Sequence, residues 1–182
     1  MQQVAADAVA SLPKYSRLRT ASGNLNVVNK ALKKEYEATA VAVKGAGNVN
    51  LASFYNQLTR QMDDAVSKSL DPDATRGAYS TVLEKVENAI KIHGNTAEGM
   101  LNARQHLDSW LKEQKGDAAF NKSGPVVQAV RTARDEMNNA IGEVVPSLKD
   151  SLKKQSGLLH AQDGLATKAA REASEMMFPM LR

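Results

Sequence analysis

The sequence predicts an all-α protein, an irregular bundle of about five to six helices closing with a long C-terminal helix. Three observations predict it. Alanine, leucine, lysine, glutamate and glutamine, all good helix formers, dominate the middle of the chain. No apolar–polar alternation of the kind a strand needs persists for more than a few residues. A helical phrase also returns four times, as Met62-Asp63-Asp64-Ala65-Val66, Val86-Glu87-Asn88-Ala89-Ile90, Leu107-Asp108-Ser109-Trp110-Leu111 and Met137-Asn138-Asn139-Ala140-Ile141. Apolar residues at i, i+3 and i+4 place a stripe on one side of a helix, and four such stripes need one another for burial. The copies sit at unequal offsets of 24, 21 and 30 residues. A solenoid would keep its period, so the phrase reads as bundling.

The elements follow in order. Residues 1–28 have the weakest pattern: Val4 to Leu12 fits a short helix halted before Pro13, and Ser22-Gly23-Asn24 is turn chemistry. A helix is expected from about Val27 to Val43, with Val28, Leu32, Glu35, Tyr36, Thr39 and Ala40 on one side, ending at Gly45-Ala46-Gly47-Asn48. Asn48 or Asn50 can cap the next, which turns Leu51, Phe54, Tyr55, Leu58, Met62, Ala65 and Val66 inward. Asp71-Pro72-Asp73 opens another, since an aspartate accepts from free amides, proline suits the first helical position and a second aspartate favours the dipole. That helix carries Tyr79, Val82, Leu83, Val86, Ala89 and Ile90 and stops at His93-Gly94.

Asn95 and Glu98 have the spacing of a capping box for a helix bearing Met100, Leu101, Arg104, Leu107, Trp110 and Leu111. Gly124-Pro125 then opens the best-patterned helix, with Val126, Val127, Val130, Ala133, Met137, Ile141 and Val144. Pro146 breaks or kinks the run, and Ser147 with Asp150 can cap the restart. The last helix, about 148 to 177, places Leu148, Leu152, Gln155, Leu159, Gln162, Leu165, Ala169 and Met176 near one seam.

At 182 residues the chain fits a basic N-terminal arm, 1–28, followed by one helical domain, 29–182. It has no cysteine, which removes disulfides, thiolate metal sites and cysteine nucleophiles. The three histidines, His93, His106 and His160, never stand four residues apart, so no metal-ligand spacing is present. Neither a phosphate-cradling G-x-x-x-x-G-K-[ST] nor a G-x-S-x-G elbow occurs. No catalytic residue, metal or cofactor is therefore assigned, and an enzyme would need a site assembled across helices. No signal peptide and no run of 18 apolar residues is visible, so the expectation is a protein without a membrane span.

Residues 1–44 hold seven basic and three acidic residues, the whole of the net charge of +4. Lys14, Arg17, Arg19, Lys30, Lys33 and Lys34, with Tyr15 and Tyr36 interleaved, could contact phosphates and stack on bases without reading sequence. The ordinary alternative is solubilising charge on a terminus. Trp110, the only tryptophan, with Leu111, Phe178 and Leu181, are the candidate protein-interface positions, since lone tryptophans favour interfaces and greasy chain ends are usually buried by something. Core packing is the competing reading for each.

The stretch Val130-Arg131-Thr132-Ala133-Arg134-Asp135-Glu136-Met137-Asn138-Asn139-Ala140-Ile141, the proline joint Val145-Pro146-Ser147-Leu148-Lys149 and Leu158-Leu159-His160-Ala161-Gln162-Asp163-Gly164-Leu165-Ala166-Thr167-Lys168-Ala169-Ala170 resemble a helical region of large tailed-bacteriophage virion proteins. The Leu51–Val66 run resembles the helix that often precedes it. The resemblance implies a structural, internal or ejected virion component, found in the virion or the host cytoplasm. Its partners would be other virion subunits, host proteins or further copies of itself, and the pattern carries packing residues and no site.

Overall fold

The computed structural model describes residues 21–115 and 124–177, with side chains described for 21–114 and 124–172. It is all-α. Among the described residues six α-helices follow in order: α1 (Ala21–Ala42), α2 (Leu51–Ser67), α3 (Pro72–His93), α4 (Ala97–Lys115), α5 (Pro125–Val144) and, after a 3-10 turn at Pro146–Leu148, the long α6 (Lys149–Met177). Among the described residues there is no strand, only one isolated antiparallel bridge between Asn48 and Thr96. No helix among them is long and apolar enough to cross a membrane. They divide into two compact units, one from the described parts of Met1–Val41 and Asp150–Arg182, the other Ala42–Lys149. The expected domain of residues 29–182 spans parts of both units.

The central unit, Ala42–Lys149, holds all four copies of the repeated phrase. α3, α4 and α5 pack against one another, and α2 lies against α3 and α5. The apolar stripes do what their spacing requires. Val82, Val86 and Ala89 of α3, Met100, Leu101 and Leu107 of α4, and Val127, Val130, Ala133, Met137 and Ile141 of α5 are almost fully withdrawn from solvent. Burying each large side chain contributes about 1.5–3 kcal/mol. α2 buries only Phe54 and Leu58 completely.

Local chemistry sets the helix ends. Asn50 accepts from the amide of Ser53 at 3.1 Å and Asp71 from that of Ala74 at 3.0 Å, as their positions predict. α3 ends at Gly94, whose φ of 84° is open to glycine and strained for other residues. The next cap corrects the sequence expectation. Thr96, not Asn95, caps α4 by accepting from the amide of Gly99 at 3.0 Å. Asn95 is used otherwise: its carbonyl accepts from Val49 at 2.8 Å, while the Ala97 amide donates to Gly47 at 3.0 Å.

In the other unit α1 and α6 run antiparallel. Ala21 pairs with Glu172, Asn29 with Gln162, and Glu35 with Lys154. On α1, Ala21, Leu25, Val28, Leu32, Glu35 and Thr39 recur at alternating intervals of four and three residues, the spacing of a coiled-coil seam. That seam overrides local turn chemistry at Ser22-Gly23-Asn24, which is helical, so α1 already includes Ala21, in place of the expected beginning near Val27. The arm boundary expected at residue 28 falls inside this helix. Val28, Leu32 and Leu158 form the apolar centre, flanked by Val27, Ala31, Tyr36, Leu159 and Leu165.

Candidate interaction surfaces and buried polar seams

The proposed interface residues separate. Trp110 and Leu111 lie in the second half of α4 and are half-buried, so each serves both packing and surface. The ammonium of Lys85 on α3 stands 5.9 Å from the centre of the Trp110 ring, a cation–π contact that holds the indole against the α3–α4 surface. Phe178 and Leu181 lie outside the described residues, as do Lys14, Arg17 and Arg19. Lys30, Lys33 and Lys34 are exposed on α1, and their i, i+3, i+4 spacing puts them on one face. Lys33 approaches Glu37 at 3.9 Å, an exposed pair of little energetic weight.

Other apolar side chains reach solvent singly. Leu70, between α2 and α3, is fully exposed, and Ile92 of α3 and Val41 of α1 are largely so. A notch of about 10 Å³ between α2 and α3 is lined by Leu58, Thr59, Met62, Tyr79, Val82 and Leu83. The outer surface of α2 presents Ser53, Asn56, Gln57 and Arg60, with the capping Asn50 at its start.

Two polar seams run through the interiors. In the central unit, Arg104 of α4 is wholly buried and donates from Nη1 to Oδ1 of Asn138 on α5. Arg134 of α5 is 8% exposed and donates from Nε to Oδ2 of Asp108 on α4 at 3.2 Å, with Oδ1 of the same carboxylate 3.0 Å away. Each helix thus carries an arginine and, one turn later, the acceptor of the other helix's arginine, and the pairs cross between antiparallel helices. Sequence reading placed Arg104 on the apolar stripe but missed Arg134. The signal was the repeated spacing, Arg104 with Asp108 and Arg134 with Asn138. Buried guanidinium groups demand such partners, because desolvation of an unpaired charge costs several kcal/mol.

In the unit formed by α1 and α6 the seam at Glu35 and Thr39 is polar. Lys154 Nζ donates to one carboxylate oxygen of Glu35 and Ser151 Oγ to the other, both at 2.7 Å. Gln155, fully buried, donates through Nε2 to the Thr39 hydroxyl at 2.6 Å and to the Glu35 carbonyl at 3.2 Å. A polar layer of this kind fixes helix register, since a slip would bury these groups against apolar neighbours. Burial alone would raise the Glu35 pKa, but the hydrogen bonds from Lys154 and Ser151 and the charge of Lys154 outweigh it, and the carboxyl is held below its ordinary 4.5. The sign follows. A depressed folded-state pKa gives stability fully present above about pH 4.5 and lost as pH falls through the folded value. Hydrogen exchange of α1 and α6 amides between about pH 6 and pH 3 should therefore show protection falling with acid, and Glu35→Gln should flatten that dependence.

The fold also brings together two residues that sequence spacing kept apart. His93 in the last turn of α3 and His106 of α4 meet edge to face, with ring centroids 5.8 Å apart. Among the described residues no group of three or more histidine, cysteine, aspartate or glutamate side chains converges as a metal cage would. No protein-family model matches the chain, nor does any curated protein or solved structure.

Proposed function

We propose that the chain is a non-enzymatic structural and protein-interaction domain, a virion or virion-associated component of tailed-phage type that presents helix faces to protein partners. The observation that carries this reading is where apolar surface remains at the rim of the central unit. Trp110 and Leu111 are half-exposed beside Lys85, with Ile92 also open to solvent on α3. An indole seated on a rigid helix pair and steadied by a cation is a suitable anchor for a partner surface, because little side-chain entropy is lost when it is covered. Part of the phage-like phrase behaves as packing: Arg134, Met137, Asn138 and Ile141 are buried, which agrees with a scaffold role.

Mass spectrometry of particles purified from a culture that encodes the chain should find its peptides at a fixed ratio to the other particle proteins. Particles that lack it while the cell lysate holds it would remove the virion reading.

A second reading is favoured by the lysine face of α1. Lys30, Lys33 and Lys34 all point to solvent from one side of a helix, a geometry that follows a phosphate backbone without reading bases. Gel-shift titration should then show binding at low salt that disappears as salt rises. No low-salt binding ends this alternative.

A further inference from the structure

We infer that His93 and His106 form a divalent transition-metal clamp across the α3–α4 corner. The imidazoles belong to different helices and meet edge to face, with centroids 5.8 Å apart and ring planes at 66°. Two imidazole nitrogens bound to one ion at about 2.1 Å place their ring centroids about 5–6 Å apart, so the separation already suits coordination. The rings are reachable: His106 is exposed and His93 half-buried. Their backbones are also held in place. Gly94 closes α3 by donating to Ile90 at 2.8 Å, Thr96 caps α4, and the 47–49 segment bonds to residues 95 and 97. Little ordering entropy is lost on closing such a pair around an ion. Imidazole selects borderline ions such as zinc, nickel and copper. With two protein ligands and no third carboxylate or imidazole converging among the described residues, water fills the remaining positions. The site is exchangeable, and its effect is to tie α3 to α4 next to the Trp110 surface.

The competing reading is an edge-to-face aromatic contact with no ligand role, and His106→Phe separates the two because it keeps a ring and removes the donor. The untagged full chain is titrated with zinc chloride, and in parallel with nickel chloride, by calorimetry, with circular dichroism confirming the helicity of every variant. The expected result is one ion per chain. Affinity should weaken by about tenfold or more in each of His93→Ala, His106→Phe and His106→Asn, and stay unchanged in His160→Ala, a histidine of the other unit. No binding at millimolar metal, or binding that survives loss of either His93 or His106, overturns the proposal. Loss of binding in His160→Ala overturns it as well, since the ion would then sit elsewhere.

Discussion

Gly99→Ala should unfold the central unit under conditions where the parent is stable. A Cβ at this position would stand 2.4 Å from the carbonyl oxygen of His93, 2.6 Å from that of Gly94 and 2.9 Å from the Gly94 carbonyl carbon. All three are backbone atoms, so no side chain can swing aside. Relief requires the α3–α4 corner to open. Opening it disturbs the Gly94 closure of α3, the Thr96 cap of α4 and the bonds from Val49 and Ala97 that fasten the 47–49 segment. Overpacking of this severity costs roughly 3 kcal/mol or more. The only tryptophan, Trp110, lies in the same unit, so its fluorescence in a urea titration reads the loss directly. Gly77→Ala is the matched control. Its added methyl meets nothing within 4 Å in the middle of α3, and it should stabilise by about 0.5–1 kcal/mol through the lower backbone entropy of the unfolded chain. Equal behaviour of the two variants would show that the corner is not close-packed.

Arg104→Ala should be the second large loss. The side chain is fully buried between α4 and α5. Its removal leaves a cavity and strips Asn138 of its guanidinium donor, a combination that typically costs about 3–5 kcal/mol. The reciprocal arrangement makes a sharper prediction possible. Arg104→Met with Asn138→Leu replaces charge and acceptor together by apolar groups of similar volume, and should cost less than Arg104→Ala alone. Asymmetry of this kind arises because an orphaned buried polar group is penalised more heavily than an absent pair. Denaturant midpoints of the single and double variants supply the comparison. A double variant worse than the single would mean that the seam contributes net stability beyond mutual satisfaction.

The fold class was legible because its cause is local. The i, i+3, i+4 stripes around Val86 and Met137 report burial directly, those around Met62 and Leu107 only in part, and Asp71-Pro72 and Gly94 carry their own start and stop chemistry. Two local signals misled, each for a stated reason. Ser22-Gly23-Asn24 is turn chemistry in isolation, yet it lies on a seam continued from Ala21 to Thr39, and long-range packing against α6 prevails over local propensity. Asn95 looked like a cap, but its backbone is engaged by Val49, so the cap passes to Thr96. The candidate site was less legible. Trp110 is a plausible anchor from composition alone. The crossing of Arg104 and Arg134 with Asn138 and Asp108 depends on helix orientation that spacing within one helix cannot supply. His93 and His106 stand 13 residues apart and meet only because a two-glycine corner folds α4 back along α3.

Photocrosslinking tests surface contact through the α3–α4 face most directly. A benzophenone amino acid replaces Trp110 in one variant and Gln57, on the outer surface of α2, in another. Each is introduced into the full chain, expressed in the cells that encode it. Irradiation is expected to yield a discrete adduct from position 110, with a second particle protein or a second copy identified by mass spectrometry, and none from position 57. Adducts from position 57 alone, or none from either position in assembled particles, would contradict it.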